Sequence, residues 1–150
     1  MELDGKVALV TGGSMGIGTA ICLDLAKNGA DVALTYRKHG DEANAIAEEI
    51  KGMGRKTVAY KVDISEFNAV QTLVNDIVGE FGHLDILVNN AGMNWDSVIW
   101  KMTEEQWDAV INVDLKGNFN FIRAVSPIFK EQKSGKIVNV TSINAMRGRF

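Results

Sequence analysis

The residues with the clearest chemical purpose lie near the start of the chain, in Val7-Ala8-Leu9-Val10-Thr11-Gly12-Gly13-Ser14-Met15-Gly16-Ile17-Gly18. A β-branched apolar run feeds a glycine-rich turn, which opens into a helical pattern from Thr19 to Asn28. This is the strand–turn–helix setting of a phosphate site. Bare glycine backbone lets a pyrophosphate approach, and the helix N-terminus meets it with free N–H groups and the positive end of its dipole. The spacing is Gly-x-x-x-Gly-x-Gly, not the Gly-x-Gly-x-x-Gly of the commoner dinucleotide fingerprint. Gly12 permits the sharp turn out of the strand; Gly16 and Gly18 bring the helix close to the ligand and the sheet. A plain glycine turn is the alternative.

Two more places could read a nucleotide. After the second apolar run comes Tyr36-Arg37-Lys38, with no acid before Asp41. An acid there would bond the ribose hydroxyls of NAD, whereas a basic residue accepts the 2′-phosphate of NADP. The stretch leans toward NADP, with a solvated positive loop as the alternative. In Lys61-Val62-Asp63-Ile64-Ser65 the Asp63 carboxylate could accept from an adenine amino group while Ile64 packs on the ring. Otherwise Asp63 only leads into a helix capped by Ser65.

These residues need a frame, and strand and helix patterns alternate to provide one. Strands are expected at 7–10, 31–35, 57–61, 86–88 and 137–140, and helices at 16–28, 41–51, 66–81, 103–111 and 112–132. Asp41 and Ser65 stand where N-caps belong, and Thr103-Glu104-Glu105-Gln106 has the form of a capping box. Gly29, Gly52 and Gly82 read as helix stops. Strands separated by helices imply right-handed βαβ units and a parallel sheet covered on both faces. The expected architecture is α/β, a doubly wound Rossmann-type sheet of order 3-2-1-4-5, forming one domain over residues 1–150. Ligands of such sheets bind outside the carboxyl ends of the strands. Gly12–Gly18, Asp63, Asn89–Gly92 and Ser142 all fall just after strands, so they converge on one edge.

Composition narrows the function classes. The 150 residues are 46% hydrophobic and 23% charged, with a net charge of −3. Nothing forms a basic stripe for nucleic acid, and no run approaches the ~20 apolar residues of a membrane span. The lone Cys22 excludes an intrachain disulfide and, with no signal-peptide pattern at the N-terminus, points to the cytoplasm. One cysteine with the distant His39 and His83 does not suggest a metal site; they read as a core thiol and two loop imidazoles. Lys130, Lys133 and Lys136 could meet an acidic carrier protein or a CoA phosphate, but a solvated helix end is the preferred reading. Trp95, Trp100 and Trp107 read as packing anchors, with Trp95 placed to border a pocket.

Leu87-Val88-Asn89-Asn90-Ala91-Gly92 together with Thr11-Gly12-x-x-x-Gly16-x-Gly18 resembles the short-chain dehydrogenase/reductase family. Met93–Trp107 and Gly135–Ser142 most resemble its 3-oxoacyl-carrier-protein and acetoacetyl-CoA reductases. The resemblance covers essentially the whole chain. It implies an NAD(P)H-dependent reduction of a 3-oxoacyl thioester, carried on acyl carrier protein or CoA, to the 3-hydroxyacyl thioester. Gly12, Ser14, Met15, Gly16, Ile17 and Gly18 would hold the pyrophosphate and nearby ribose of NADP, with NAD as the alternative cofactor. Arg37 would meet the 2′-phosphate, Asp63 and Ile64 would frame the adenine, and Asn89, Ala91 and Gly92 would steady strand 4 and line the cofactor floor. Ser142 would donate to the substrate carbonyl, a role a hydroxyl suits. The family is commonly tetrameric.

Three departures follow from the same comparison. Met15 stands where NADPH-preferring members often carry arginine. Asp114, in Val113-Asp114-Leu115-Lys116-Gly117-Asn118-Phe119, stands where the family's catalytic asparagine holds a water in the proton relay; a carboxylate accepts but does not donate there. The family's Tyr-x-x-x-Lys pair falls beyond Phe150. The expectation is therefore a domain incomplete at its C-terminus, with the 150-residue segment inactive alone and Phe119, Phe121, Ile122, Val125, Ile128 and Phe129 short of cover. Two other readings stay open: a non-catalytic nucleotide-binding fragment, and an oxidoreductase of another alcohol, sugar or steroid.

Overall fold

The computed structural model describes residues 1–145; Phe150, where the domain is expected to break off, lies outside them. Five parallel strands, β1 (Val7–Val10), β2 (Asp31–Tyr36), β3 (Thr57–Lys61), β4 (Ile86–Asn89) and β5 (Lys136–Asn139), form one sheet in the order 3-2-1-4-5. Helices α1 (Gly16–Lys27), α2 (Gly40–Gly52) and α3 (Phe67–Phe81) fill the first three crossovers. The fourth crossover holds α4 (Glu104–Val110), a wider π turn (Ile111–Lys116) and α5 (Gly117–Gln132). This is the expected doubly wound, Rossmann-type arrangement.

The period of two along each strand divides the core. Leu9 and Leu87 point to one face, where Val70 and Ile77 of α3 meet Phe121 and Val125 of α5. Val10, Leu34 and Val88 point to the other, against Cys22 of α1 and Ile46 and Ile50 of α2. All four residues of β1 are buried because it lies between β2 and β4 with helices on both faces, hence an unbroken apolar run. Burial lifts the Cys22 thiol to about 12, as suits a packing residue.

Several local expectations are corrected. Helix α2 starts one residue before Asp41, with His39 at its N-cap, so Asp41 and Glu42 occupy the first turn, where they favour the helix dipole. Glu66, not Ser65, is the N-cap of α3. Gly52 still belongs to α2, and the left-handed backbone is taken by Gly54 at φ +76°. Gly82 does end α3, at φ +87° with its amide donating to the Val78 carbonyl. The Thr103 capping box forms: the Gln106 amide donates to Thr103 Oγ1 at 3.2 Å and the Thr103 amide to Gln106 Oε1 at 2.9 Å. The helices expected at 103–111 and 112–132 run into one another, because the π turn bridges them without a break.

Burial also departs from expectation at two places. Phe121 and Val125 are not short of cover; both are fully buried, and Ile122, Ile128 and Phe129 pack partly against them. Strand β5 is exposed along its whole length, not covered on both faces, since it is the outermost strand and no described helix lies over it. Phe119 is 56% exposed and stacks on Phe67, their ring centroids 6.3 Å apart, whereas Phe121 two residues on is 0% exposed. Phe121→Ala is therefore expected to lower the unfolding free energy by about 3–5 kcal/mol in urea denaturation, and Phe119→Ala to change it by less than about 1 kcal/mol. Equal losses would refute the division of α5 into a core face and an open face.

Candidate functional site

The exits of β1 and β4 are locked together. The Thr11 hydroxyl, almost fully buried, accepts from the amides of Asn90 at 3.0 Å and Ala91 at 2.9 Å. In return, the Asn90 side-chain amide donates to the carbonyls of Thr11 at 3.0 Å and Gly12 at 3.2 Å. The Gly12 amide donates to Thr35 Oγ1 at 3.3 Å, adding the end of β2. Glycine is forced at two points. Gly12 has φ +65° and a Cβ on it would lie 3.0 Å from Ala91 Cα; a Cβ on Gly18 would collide with the Gly12 carbonyl. The first turn of α1 has no side-chain cap and no acidic residue, so its free N–H groups face the loop. This bare, positively polarised cradle fits the pyrophosphate of a dinucleotide.

Two clefts open from this junction at the carboxyl edge of the sheet. The smaller, about 550 Å³, is lined by Gly12, Ser14, Met15, Ile17 and Gly18, by Arg37, Asp63 and Ile64, and by Ala91 and Gly92. Ten of the twelve residues expected at a cofactor thus meet on one surface. Gly16 does not line it; it shapes the loop from φ +56° at the start of α1. Asn89 is corrected: it is buried within the sheet, and its amide donates to Asn139 Oδ1 at 2.9 Å, tying β4 to β5. Asn90 and Met93 take the place beside the cleft. The alternation of a strand end could have shown this, since Asn89 and Asn90 must point to opposite sides.

Arg37 and Asp63 meet across the smaller cleft, Nε to Oδ2 at 3.4 Å. Asp63 Oδ1 also accepts from the Ser65 amide at 3.0 Å and the Ser65 hydroxyl at 2.7 Å. Ser65 thus serves Asp63 and not the α3 terminus. Partial burial pushes the Asp63 carboxyl up, but the two Ser65 hydrogen bonds and the Arg37 charge outweigh it and hold it below the ordinary value. Ile64 is fixed from behind by α5: a Cβ on Gly117 would lie 2.8 Å from Ile64 Cδ1, and the Asn120 amide donates to the Ile64 carbonyl at 2.8 Å.

The larger cleft, about 1070 Å³, shares Ile17 and Asn90–Met93 with the smaller and brings together Asp114, Ser142, Trp95 and Trp107. Trp95 borders this cleft as its place in the sequence suggested, while Trp107 and Trp100 are corrected from packing anchors to cleft and surface residues, Trp107 55% exposed and Trp100 more so. Asp114 sits in the π turn, where the Gly117 amide reaches back five residues to the Asn112 carbonyl. Its Oδ1 accepts from the Met93 amide at 2.8 Å, and its own carbonyl accepts from Asn118 Nδ2 at 2.9 Å. Ser142 is exposed, its Oγ accepting from the Asn144 amide at 3.2 Å. Among the described residues no group of three His, Cys, Asp or Glu side chains could hold a metal, and no helix is long and apolar enough to cross a membrane.

Burial raises the Asp114 carboxyl above its ordinary value, opposed by the Met93 amide, so the folded protein holds the ionised form at a cost. Asp114→Asn keeps an acceptor for Met93 and removes the charge. It is expected to unfold at a higher urea concentration than the parent at neutral pH. That advantage should shrink as pH falls through the raised value toward the ordinary aspartate range, below which both states are protonated. Parallel pH–stability curves for the two proteins would contradict this.

Residues 6–150 match the short chain dehydrogenase family. The chain is 43% identical over 143 residues to the 3-oxoacyl-[acyl-carrier-protein] reductase of Staphylococcus epidermidis, covering 95% of this chain and 59% of that protein. It is 38% identical over 148 residues to the same-named reductase of Thermotoga maritima, covering 99% and 60%. It thus spans about three-fifths of the length of these relatives. A short chain dehydrogenase from Burkholderia cenocepacia in complex with NADP superposes with a TM-score of 0.93 at 38% identity, over 100% of this chain and 60% of that one. An NAD+-bound xylitol dehydrogenase gives 0.94 at 29% identity, over 99% and 57%. Glycine cradle, locked β4 exit and sequence match lead to one conclusion: the chain belongs to the short chain dehydrogenase family.

Proposed function

We propose that the protein is an NADPH-dependent reductase of 3-oxoacyl thioesters. The observation that carries this is the pair of clefts meeting over Ile17 and Ala91, one lined by Arg37 and the other by Ser142. Gly12–Gly18 would hold the pyrophosphate, Asp63 and Ile64 the adenine, and Arg37 the 2′-phosphate. When bound, the dinucleotide supplies the hydride for the C3 carbonyl. Ser142 donates a hydrogen bond to that carbonyl oxygen and favours the charge that develops on it. Asp114 holds the Met93 loop in place and accepts hydrogen bonds in the proton relay. Similarity to 3-oxoacyl-[acyl-carrier-protein] reductases at 38–43% identity supports a thioester on acyl carrier protein, with CoA as the alternative carrier. The buried Cys22 thiol suits work in the cytoplasm.

The likeness to xylitol dehydrogenase, at lower identity, favours polyol oxidation as the second reading. The full-length protein is expected to oxidise NADPH only when a 3-oxoacyl thioester is added, and Ser142→Ala to lower kcat about 100-fold with cofactor affinity unchanged. Oxidation of polyols without thioester reduction would replace the first reading by the second.

A further inference from the structure

The smaller cleft carries Arg37, Lys38 and His39 on its rim, and Asp63 is the one carboxylate among its described lining residues. Its position is not an accident of a floppy surface pair. Strands β2 and β3 run parallel with Tyr36 beside Lys61, and the Val62 amide donates to the Tyr36 carbonyl at 3.0 Å. The chain leaving β2 therefore delivers Arg37 next to the chain leaving β3, which delivers Asp63. Ser65 then fixes the carboxylate with two hydrogen bonds on Oδ1, leaving Oδ2 turned to Arg37 at 3.4 Å.

We propose that Asp63 sets the choice between a phosphorylated and a free ribose, by occupying Arg37 and placing a negative charge where a 2′-phosphate would approach. The inference rests on the reading of this cleft as the adenosine site and deepens it. A 2′-phosphate must share Arg37 with a fixed carboxylate and meets that carboxylate as a like charge. A free 2′-hydroxyl meets neither penalty. Orientation of the guanidinium by Asp63 works the other way, but both groups are partly exposed, and exposed pairs hold side chains only weakly. Two Ser65 hydrogen bonds hold the Asp63 charge in place beside Arg37, so the charge is present wherever the guanidinium turns, and Asp63 moderates the preference for NADP that Arg37 creates.

The test compares two probes that share an adenine and a ribose, 5′-AMP and 2′,5′-ADP, by calorimetry on the full-length protein. The ratio of their dissociation constants isolates the 2′-phosphate, because any contact of Asp63 with adenine affects both probes alike. Asp63→Asn keeps an acceptor for Ser65; it should raise the preference for 2′,5′-ADP about fivefold at low salt, and less at high salt. Asp63→Ser, which removes the carboxylate with a smaller side chain, should act in the same direction. Arg37→Gln should abolish most of the preference, and adding Asp63→Asn to it should recover part of it, since the like charge facing the phosphate is then removed. An unchanged or lowered preference in both Asp63 variants overturns the inference. Failure of the parent protein to bind either probe removes the adenosine reading itself, and the inference with it.

Discussion

Everything at the carboxyl edge of the sheet depends on how closely β1 and β4 leave it together. Gly12 lies against Ala91 with no room for a side chain between them, and one hydroxyl, Thr11 Oγ1, accepts both backbone amides of the opposite loop. In a doubly wound sheet the chain departs to opposite faces on either side of this point, which opens a crevice. The crevice would be shapeless if its floor could move. Here the floor is held by two amide-to-hydroxyl bonds and two side-chain amide bonds from Asn90, all partly buried. Removing Thr11 Oγ1 would leave two amides to find other partners, and an unpaired buried donor costs about 1–3 kcal/mol.

A second constraint joins the two clefts from behind. Helix α5 presses Gly117 and Asn120 on Ile64, which walls the smaller cleft, while the π turn just before it carries Asp114 to the Met93 amide beside the larger one. A wider turn leaves carbonyls out of line with the next turn's donors. Asn118 supplies a donor to the Asp114 carbonyl. The Gln71 side chain donates to the Asn120 carbonyl and anchors the same stretch to α3. The helix is thus a strut between Ile64 and Met93, and a shift of either wall must be accommodated along it.

The sheet order and element sequence were legible because hydrophobic periodicity reports burial directly, and β1 and β4 carry unbroken apolar runs. Most of the smaller cleft's lining was legible for a related reason: glycines and polar residues placed just after strands can only gather at one edge. Roles set by a single bond were not. Ser65 has a helix-capping side chain and a helix beside it, yet its hydroxyl donates to Asp63 Oδ1 at 2.7 Å and Glu66 takes the N-cap position. Asn89 and Asn90 are the same residue type in adjacent places, and only the pleat of β4 separates the one bonded to Asn139 from the one bonded to Thr11. The π turn has no signal in propensity, so Ile111 and Asn112 read as a boundary between two helices. Trp107 misled because size alone argues for burial, whereas it lines an open cleft, as Trp95 was placed to do.

The two clefts also differ in charge, and that difference gives a long anionic ligand a direction. Arg37, Lys38 and His39 edge the smaller cleft, against the single carboxylate of Asp63. In the larger, the charged residues among the described lining are Asp96 and Asp114. A ligand with phosphates at one end and a neutral reacting group at the other is favoured with its phosphates toward Arg37 and the glycine loop. The reverse placement sets phosphates beside the partly buried Asp114 carboxylate, where like charges repel more strongly than in water. Ser142, exposed in the larger cleft, is then left facing the uncharged end, where a hydroxyl can donate without competing for a phosphate. Among the described residues, the polarity of the two clefts follows from the bases that leave β2 and the Asp114 carboxylate carried by the π turn.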